Sequence, residues 1–201
     1  MTKRGFTLIE IMVAVTIFSM VALVATGAVL TANRVNRRVQ AIKLVTDNLH
    51  FVLENMAYNI KYFETRHCIN QASGSINIGT ASNKNCGFGD DSNGGEGLLL
   101  KDSSGQYALY AFRPTSGEIP GSIKFADETS GGSINLNTLT NQITLPSVEV
   151  TDLRFYVDGN QDHPDLPTTE PAAPRVSVVL SARVVDPRNP VEFTLQTTIS
   201  D

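Results

Sequence analysis

Hydrophobic and polar positions divide this chain into stretches of different character. From Phe6 to Leu30 nearly every residue is apolar or small, and Glu10 is the only charge. About 20 such residues cross a bilayer as a helix at a rise of about 1.5 Å each. Residues 6–30 are therefore a candidate membrane span. Beyond it the pattern turns periodic. Val35, Val39, Ile42, Leu49, Val52, Met56, Ile60 and Phe63 recur at spacings of three, four or seven, which predicts one apolar helical stripe. Asn33, Arg37, Gln40, Lys43, Asp47, Glu54 and Lys61 fill the other faces. Neither Pro nor Gly lies between Thr31 and Glu64. One helix is thus expected from about Phe6 to about Phe63, with Gly27 as its weak point, since Gly costs about 1 kcal/mol against Ala in a helix.

Residues 65–100 lose the periodicity. They are dense in Gly, Asn and Ser, and the run from Gly87 to Gly97 is turn material. The run lacks the third glycine and the strand-to-helix setting of a dinucleotide fingerprint, so this segment is expected to be a surface connection. Strand signals occupy residues 101–201. Tyr107–Phe112 is rich in aromatics, and Ile123–Phe125 and Ile143–Leu145 are short candidates. Val148 and Val150, then Leu153, Phe155 and Val157, alternate with one slip near Thr151 and Asp152, which predicts a bulge or bend. Val176 to Val184 and Val191 to Ile199 alternate cleanly across a Pro-containing turn, as in an antiparallel hairpin. The helical stripe could serve a coiled coil. A sheet face is the better partner, which gives an α+β expectation: a helix covering one face of an antiparallel sheet.

Charge adds little to this picture. The net charge of −4 does not suggest a nucleic-acid binder. The cluster of Arg34, Arg37, Arg38 and Lys43 follows the apolar block, where lipid headgroups or solvent are its natural contacts. The only cysteines are Cys68 and Cys86. One disulfide in an exported domain and two free thiols both fit, and the disulfide would staple a Gly/Ser/Asn-rich loop. No spaced ligand set accompanies them for zinc.

Glu10 is the anomaly. A carboxylate within an apolar helix costs on the order of 2.5–3.5 kcal/mol at the bilayer centre and less near the interface. It either sits tolerated at headgroup level or has a partner. Its neighbours bear on that choice. Lys3-Arg4-Gly5-Phe6-Thr7-Leu8-Ile9-Glu10, continuing into Ile11-Met12-Val13-Ala14-Val15, resembles the leader of type IV prepilins and type II secretion pseudopilins. The resemblance implies a pilin-like fold, cleavage between Gly5 and Phe6 by a membrane prepilin peptidase, and N-methylation of Phe6. It also implies a partner for Glu10, the new amine of a neighbouring subunit's Phe6. Such pairing offsets a charge that would be costly alone in a low-dielectric core and sets the axial register of one helix against the next. Val150 to Val157 and Phe193 to Ser200 are similar to strands of J-type minor pseudopilins and related minor pilins, over much shorter matches.

The implied organisation is a cleaved leader at 1–5, a transmembrane half-helix at 6–30, an amphipathic half at 31–64, a disulfide-pinned connection at 65–100 and a β-sheet head at 101–201. The implied place is the bacterial inner membrane, with the head outside the cytoplasm, and later a filament. Partners would be membrane lipid, other pilins or pseudopilins, the peptidase and an inner-membrane assembly platform. The flanking charges oppose that topology, because more Lys and Arg follow the span than precede it; long domains cross largely regardless of charge. An ordinary secretory signal cut before Ala28 is a competing reading, set against the length of the apolar stretch and the charge inside it.

Chemistry is thinly represented. His50, His67 and His163 are scattered, and no nucleophile-elbow, zinc-helix or P-loop spacing occurs, so no enzyme is expected. Asp158, Asn160 and Asp162 have the alternating oxygen spacing that opens a calcium loop, and Asp165 follows. No Glu closes such a loop, which excludes an EF-hand; an acidic surface loop is the alternative. The expected function is that of a minor pilin or pseudopilin, a structural subunit that enters, primes or caps a filament. A membrane-anchored binding or sensor module that never polymerises is the alternative.

Overall fold

The computed structural model describes residues 5–70, 74–79, 84, 86–87, 93–128, 132–159, 174–185 and 191–200. Helix α1 runs over Leu8–Tyr62, 55 residues without a break. The chain divides into two compact units, Met1–Lys43 and Leu44–Asp201. In the first unit the described part is helix and its N-terminal approach, with no buried residue. Val35 and Val39, expected to lie on the core stripe, belong here and are exposed. The stripe enters a core only in the second unit, where Val45, Asn48, Leu49, Val52, Met56 and Ile60 are buried at spacings of three and four. Arg66 helps end the helix: its guanidinium is buried and donates to the Ile60 carbonyl at 3.1 Å, one of the last-turn acceptors that lack an intrahelical partner.

Among the described residues the second unit holds three antiparallel sheets, which together with the helix make the α+β arrangement that the pattern predicts. Strands β1 (Thr65–Ile69), β3 (Gly97–Lys101), β4 (Tyr107–Arg113) and β5 (Ser122–Glu128) form the first, in the order β1-β3-β4-β5. Strands β2 (Ser75–Asn77) and β6 (Ser133–Asn135) form a two-stranded ribbon. The third consists of β7 (Val148–Asp158), β8 (Arg175–Val184) and β9 (Glu192–Ser200) in chain order. Residues 65–100 are therefore not simply a connection, because they contain β1, β2 and most of β3. Leu98, Leu99 and Leu100 are all buried, so β3 reads as a continuous apolar run without the alternation of a half-exposed strand. Ile143–Leu145 is no strand. Ile143 instead donates its N–H to the Ile123 carbonyl at 3.1 Å along the margin of β5.

Both faces of β4 are buried. Ala108, Tyr110 and Phe112 join Leu98, Leu100 and Ile123 in one cluster with the buried face of α1. Tyr107, Leu109 and Ala111 join Leu99, Ile69, Ile78 and Leu136 in a smaller second cluster. The helix-side cluster also takes Leu153, Phe155, Val157, Val176, Val178, Leu180 and Ala182 from the three-stranded sheet, so the single buried stripe of the helix shares one core with both larger sheets. The expected slip in β7 is present as a register shift between Val150 and Asp152. It lets Val148 and Val150 as well as Leu153, Phe155 and Val157 reach the same core.

The two larger sheets are stitched together beside the disulfide. Cys68 on β1 is bonded to Cys86, with 5.9 Å between their Cα atoms. Cys86 in turn exchanges backbone hydrogen bonds with Val157 at 3.0 and 2.9 Å, and Gly95 does so with Phe155 at 2.7 and 2.8 Å. Gly95 has no alternative residue here: a Cβ would collide with the Cys68 sulfur and lie 2.9 Å from the Ile69 carbonyl. The cross-link closes a separation of 18 residues. In the chain-entropy account a loop of that size stabilises the fold by roughly 3 kcal/mol.

Candidate assembly site

The helix begins in a reciprocal cap. Thr7 precedes its first residue, and Glu10 is the third residue within it. The Thr7 N–H and hydroxyl both donate to Glu10 Oε2, at 3.0 and 2.9 Å, and the Glu10 N–H donates to Thr7 Oγ1 at 3.4 Å. This is a capping box, in which the two residues satisfy donors that a helix start leaves unpaired. A negative charge in the first turn also faces the positive end of the helix dipole. Glu10 thus has a local structural role in addition to any partner. Its second oxygen, Oε1, accepts nothing from a described residue. The signal that could have revealed the cap is Thr-x-x-Glu before an apolar run.

Other polar groups in the apolar stretch are internally satisfied. The hydroxyls of Thr16, Ser19, Thr26 and Thr31 donate to the carbonyls of Met12, Val15, Ala22 and Gly27, at 2.8, 2.7, 2.8 and 3.0 Å. They therefore need no outside partner in an apolar medium. The apolar side chains are open, with Phe6 85% and Phe18 74% exposed. By length and composition α1 is sufficient to cross a membrane, the single such helix among the described residues. Gly5 and Phe6 lie immediately outside the helix, exposed. Arg34, Arg37, Arg38 and Lys43 are exposed as well.

The remaining predicted residues lie elsewhere. Cys68 and Cys86 form the disulfide in the head. Asp158 accepts from Arg175 at 2.8 Å and from the Gly159 N–H at 2.8 Å. Asn160, Asp162 and Asp165 are outside the described residues, as is His163.

Sequence reasoning missed two polar clusters in the head. Tyr110 donates to Asn55 Oδ1 and accepts from Asn59 Nδ2, each at 2.6 Å, which ties β4 to α1. Burial pushes the Tyr110 phenol well above its ordinary range, so it stays a neutral donor. Glu149 accepts from Arg183 Nε at 2.8 Å and Nη2 at 3.1 Å, and from the Thr115 hydroxyl at 2.7 Å. The Arg183 bonds, then the Thr115 bond, hold the Glu149 carboxyl below the usual carboxylate range. Both clusters fasten elements together and present no open reactive group.

The family described as "Prokaryotic N-terminal methylation motif" matches residues 1–26. These residues contain the Gly5–Phe6 junction, the Thr7–Glu10 cap and most of the apolar stretch. No curated protein and no solved structure gives a significant match. The chain thus carries the N-terminal methylation motif of type IV prepilin-like proteins and pseudopilins, at the head of a helix long and apolar enough to cross a membrane.

Proposed function

We propose that this chain is a minor pilin or pseudopilin, a structural subunit that enters, primes or caps a pilus-like or secretion-type filament. The observation that carries the reading is the methylation motif over residues 1–26, which takes in the Gly5–Phe6 junction and the capped start of a membrane helix whose first turn holds a carboxylate. Prepilin peptidase cuts between Gly5 and Phe6, and Phe6 is N-methylated. The freed Phe6 amine of an adjoining subunit then meets Glu10, whose Oε2 holds the cap while Oε1 accepts nothing from a described residue. The reading of a minor subunit rests on the size of the head.

The head lies outside the cytoplasm in this reading. A buried disulfide between Cys68 and Cys86 supports an oxidising compartment. The polar clusters are structural fastenings, in keeping with a filament component rather than a catalyst. Should calcium bind, the segment from Asp158 to Asp165 would hold it, and a melting temperature raised by millimolar calcium is the readout.

Replacing Glu10 with Leu tests the pairing. Removing one partner of a buried ion pair costs about 3–5 kcal/mol. Incorporation into filaments is expected to fall on the order of 100-fold or more. Membrane insertion and leader cleavage are expected to persist. Normal incorporation of Glu10→Leu would refute the pairing.

A further inference from the structure

Where the end of α1 meets the first sheet, the head opens into a notch of about 280 Å³ whose lining includes Asn59, Phe63, Gln106, Phe125 and Asp127. Side chains alternate along β5. Ile123 lies in the helix-side core and Phe125 packs against it, so Asp127, two residues on, faces the same way, opposite Ala108 of β4. Asn59 belongs to the last turn of α1, and Phe63 is the residue just past it. The volume is below the roughly 300–1,000 Å³ of small-molecule pockets and suits the end of one side chain.

The notch offers acceptors and ring surface. Among the described residues that line it, none is Lys, Arg or His. Four other carboxylates of the head, Glu96, Glu149, Asp152 and Asp158, each lie against an Arg. Asp127 makes no ion pair or side-chain hydrogen bond with a described residue. Asn59 adds a second acceptor. Tyr110 gives its hydroxyl proton to Asn55, so Asn59 presents its Nδ2 to Tyr110, and the Asn59 Oδ1 has no donor among the described residues. The C-terminal end of a helix also carries the negative pole of its dipole, which favours a cation. Arg66 meets part of that demand at the Ile60 carbonyl and does not line the notch.

The rings are held in place. Phe125 lies 5.0 Å from the Tyr110 ring, and Phe63 lies edge-on to Tyr62 at 5.4 Å, centroid to centroid. A cation over an aromatic face is attracted by the ring quadrupole, and a guanidinium can stack on a ring or fork to a carboxylate. We propose that this notch receives the cationic end of an Arg or Lys side chain from an adjoining subunit, with Asp127 as its counter-ion. The source of that side chain rests on the filament reading; the preference for a cation rests on the lining alone.

Two measurements test it. The purified full-length chain in detergent is titrated with N-acetylarginine amide and with its neutral citrulline counterpart, following the ring protons of Phe63 and Phe125. The arginine compound is expected to shift them at millimolar concentration, the citrulline compound to leave them unchanged, and Asp127→Asn to abolish the shift. Equal shifts from both compounds, or none from either, overturn the cation preference whatever happens in filaments. In cells that assemble the filament, Asp127→Asn and Asp127→Lys are expected to reduce incorporation about ten-fold or more, with head melting and leader cleavage unchanged. Second-site changes that restore Asp127→Lys are expected at a Lys or Arg of another subunit. Normal incorporation of both variants beside a positive titration gives the notch to a free cation and overturns the subunit role. So does a loss that tracks a lowered melting temperature, because Asp127 then serves the head itself. If the wild-type chain is processed yet absent from filaments, the filament reading falls and the subunit role with it, while the titration still decides what the notch binds.

Discussion

The same kind of side chain has opposite fates on the two sides of Lys43. Leu23 and Val24 are 75% and 74% exposed, whereas Leu49 and Val52 are fully buried, all on one helix. Residue type does not separate them, since both stretches offer Leu and Val. What differs is the covering. Residues from Leu44 onward have sheets to bury against, and the described residues up to Lys43 have none within their own unit. Burying one large apolar side chain stabilises by about 1.5–3 kcal/mol. A row of them left in water would forfeit that repeatedly, and this stretch is long and apolar enough to take its cover from a membrane. The polar groups follow the same division. Hydroxyls in the anchor bond back to their own helix, while Asn48 reaches across to the Leu145 N–H at 3.2 Å.

Paired substitutions sharpen this contrast. Met56→Ala leaves a cavity under the sheets and is expected to destabilise the head by about 2–5 kcal/mol. Leu23→Ala should leave head unfolding unchanged, and denaturant melts of both variants in detergent check this. Equal effects would mean the anchor has a core of its own. Replacing Cys68 and Cys86 together with Ala should cost about 2–4 kcal/mol in the head and leave membrane insertion unaltered.

The smallest effect is a pH dependence. The Glu149 carboxyl is held down by Arg183 and Thr115, so the unfolded state binds its proton more readily. Its stabilisation is therefore present above the unfolded pKa, about 4.3, and is lost as pH falls through the lower folded value. Wild type and Glu149→Gln should differ in melting temperature at neutral pH and converge in acid. A gap that widens in acid would reverse the sign.

Legibility in the sequence followed local pattern. The long helix was readable because it contains no Pro and a single Gly, Gly27, and the β7 slip because alternation changes phase at one point. The first sheet was half hidden. In β1, Arg66 and His67 look like loop residues, yet the Arg66 guanidinium is buried as a helix cap. In β3, burial on both faces erased the alternation that marks a strand. Asn48 reads as a polar interruption of the stripe and is instead a buried contact to a segment 97 residues away. The capping role of Glu10 was legible from Thr7, although its charge drew attention to outside partners. Partnership across the sheets, as at Tyr110 with Asn55 and Asn59, depends on tertiary placement that no local pattern encodes.

Everything proposed for the anchor depends on a new amine appearing beside the Thr7–Glu10 cap. Intact-mass and N-terminal peptide analysis of the protein from its native membrane measures this directly. The account predicts a chain that begins at N-methylated Phe6. A chain that keeps residues 1–5 where the peptidase is active, or one that begins at Ala28, would contradict it.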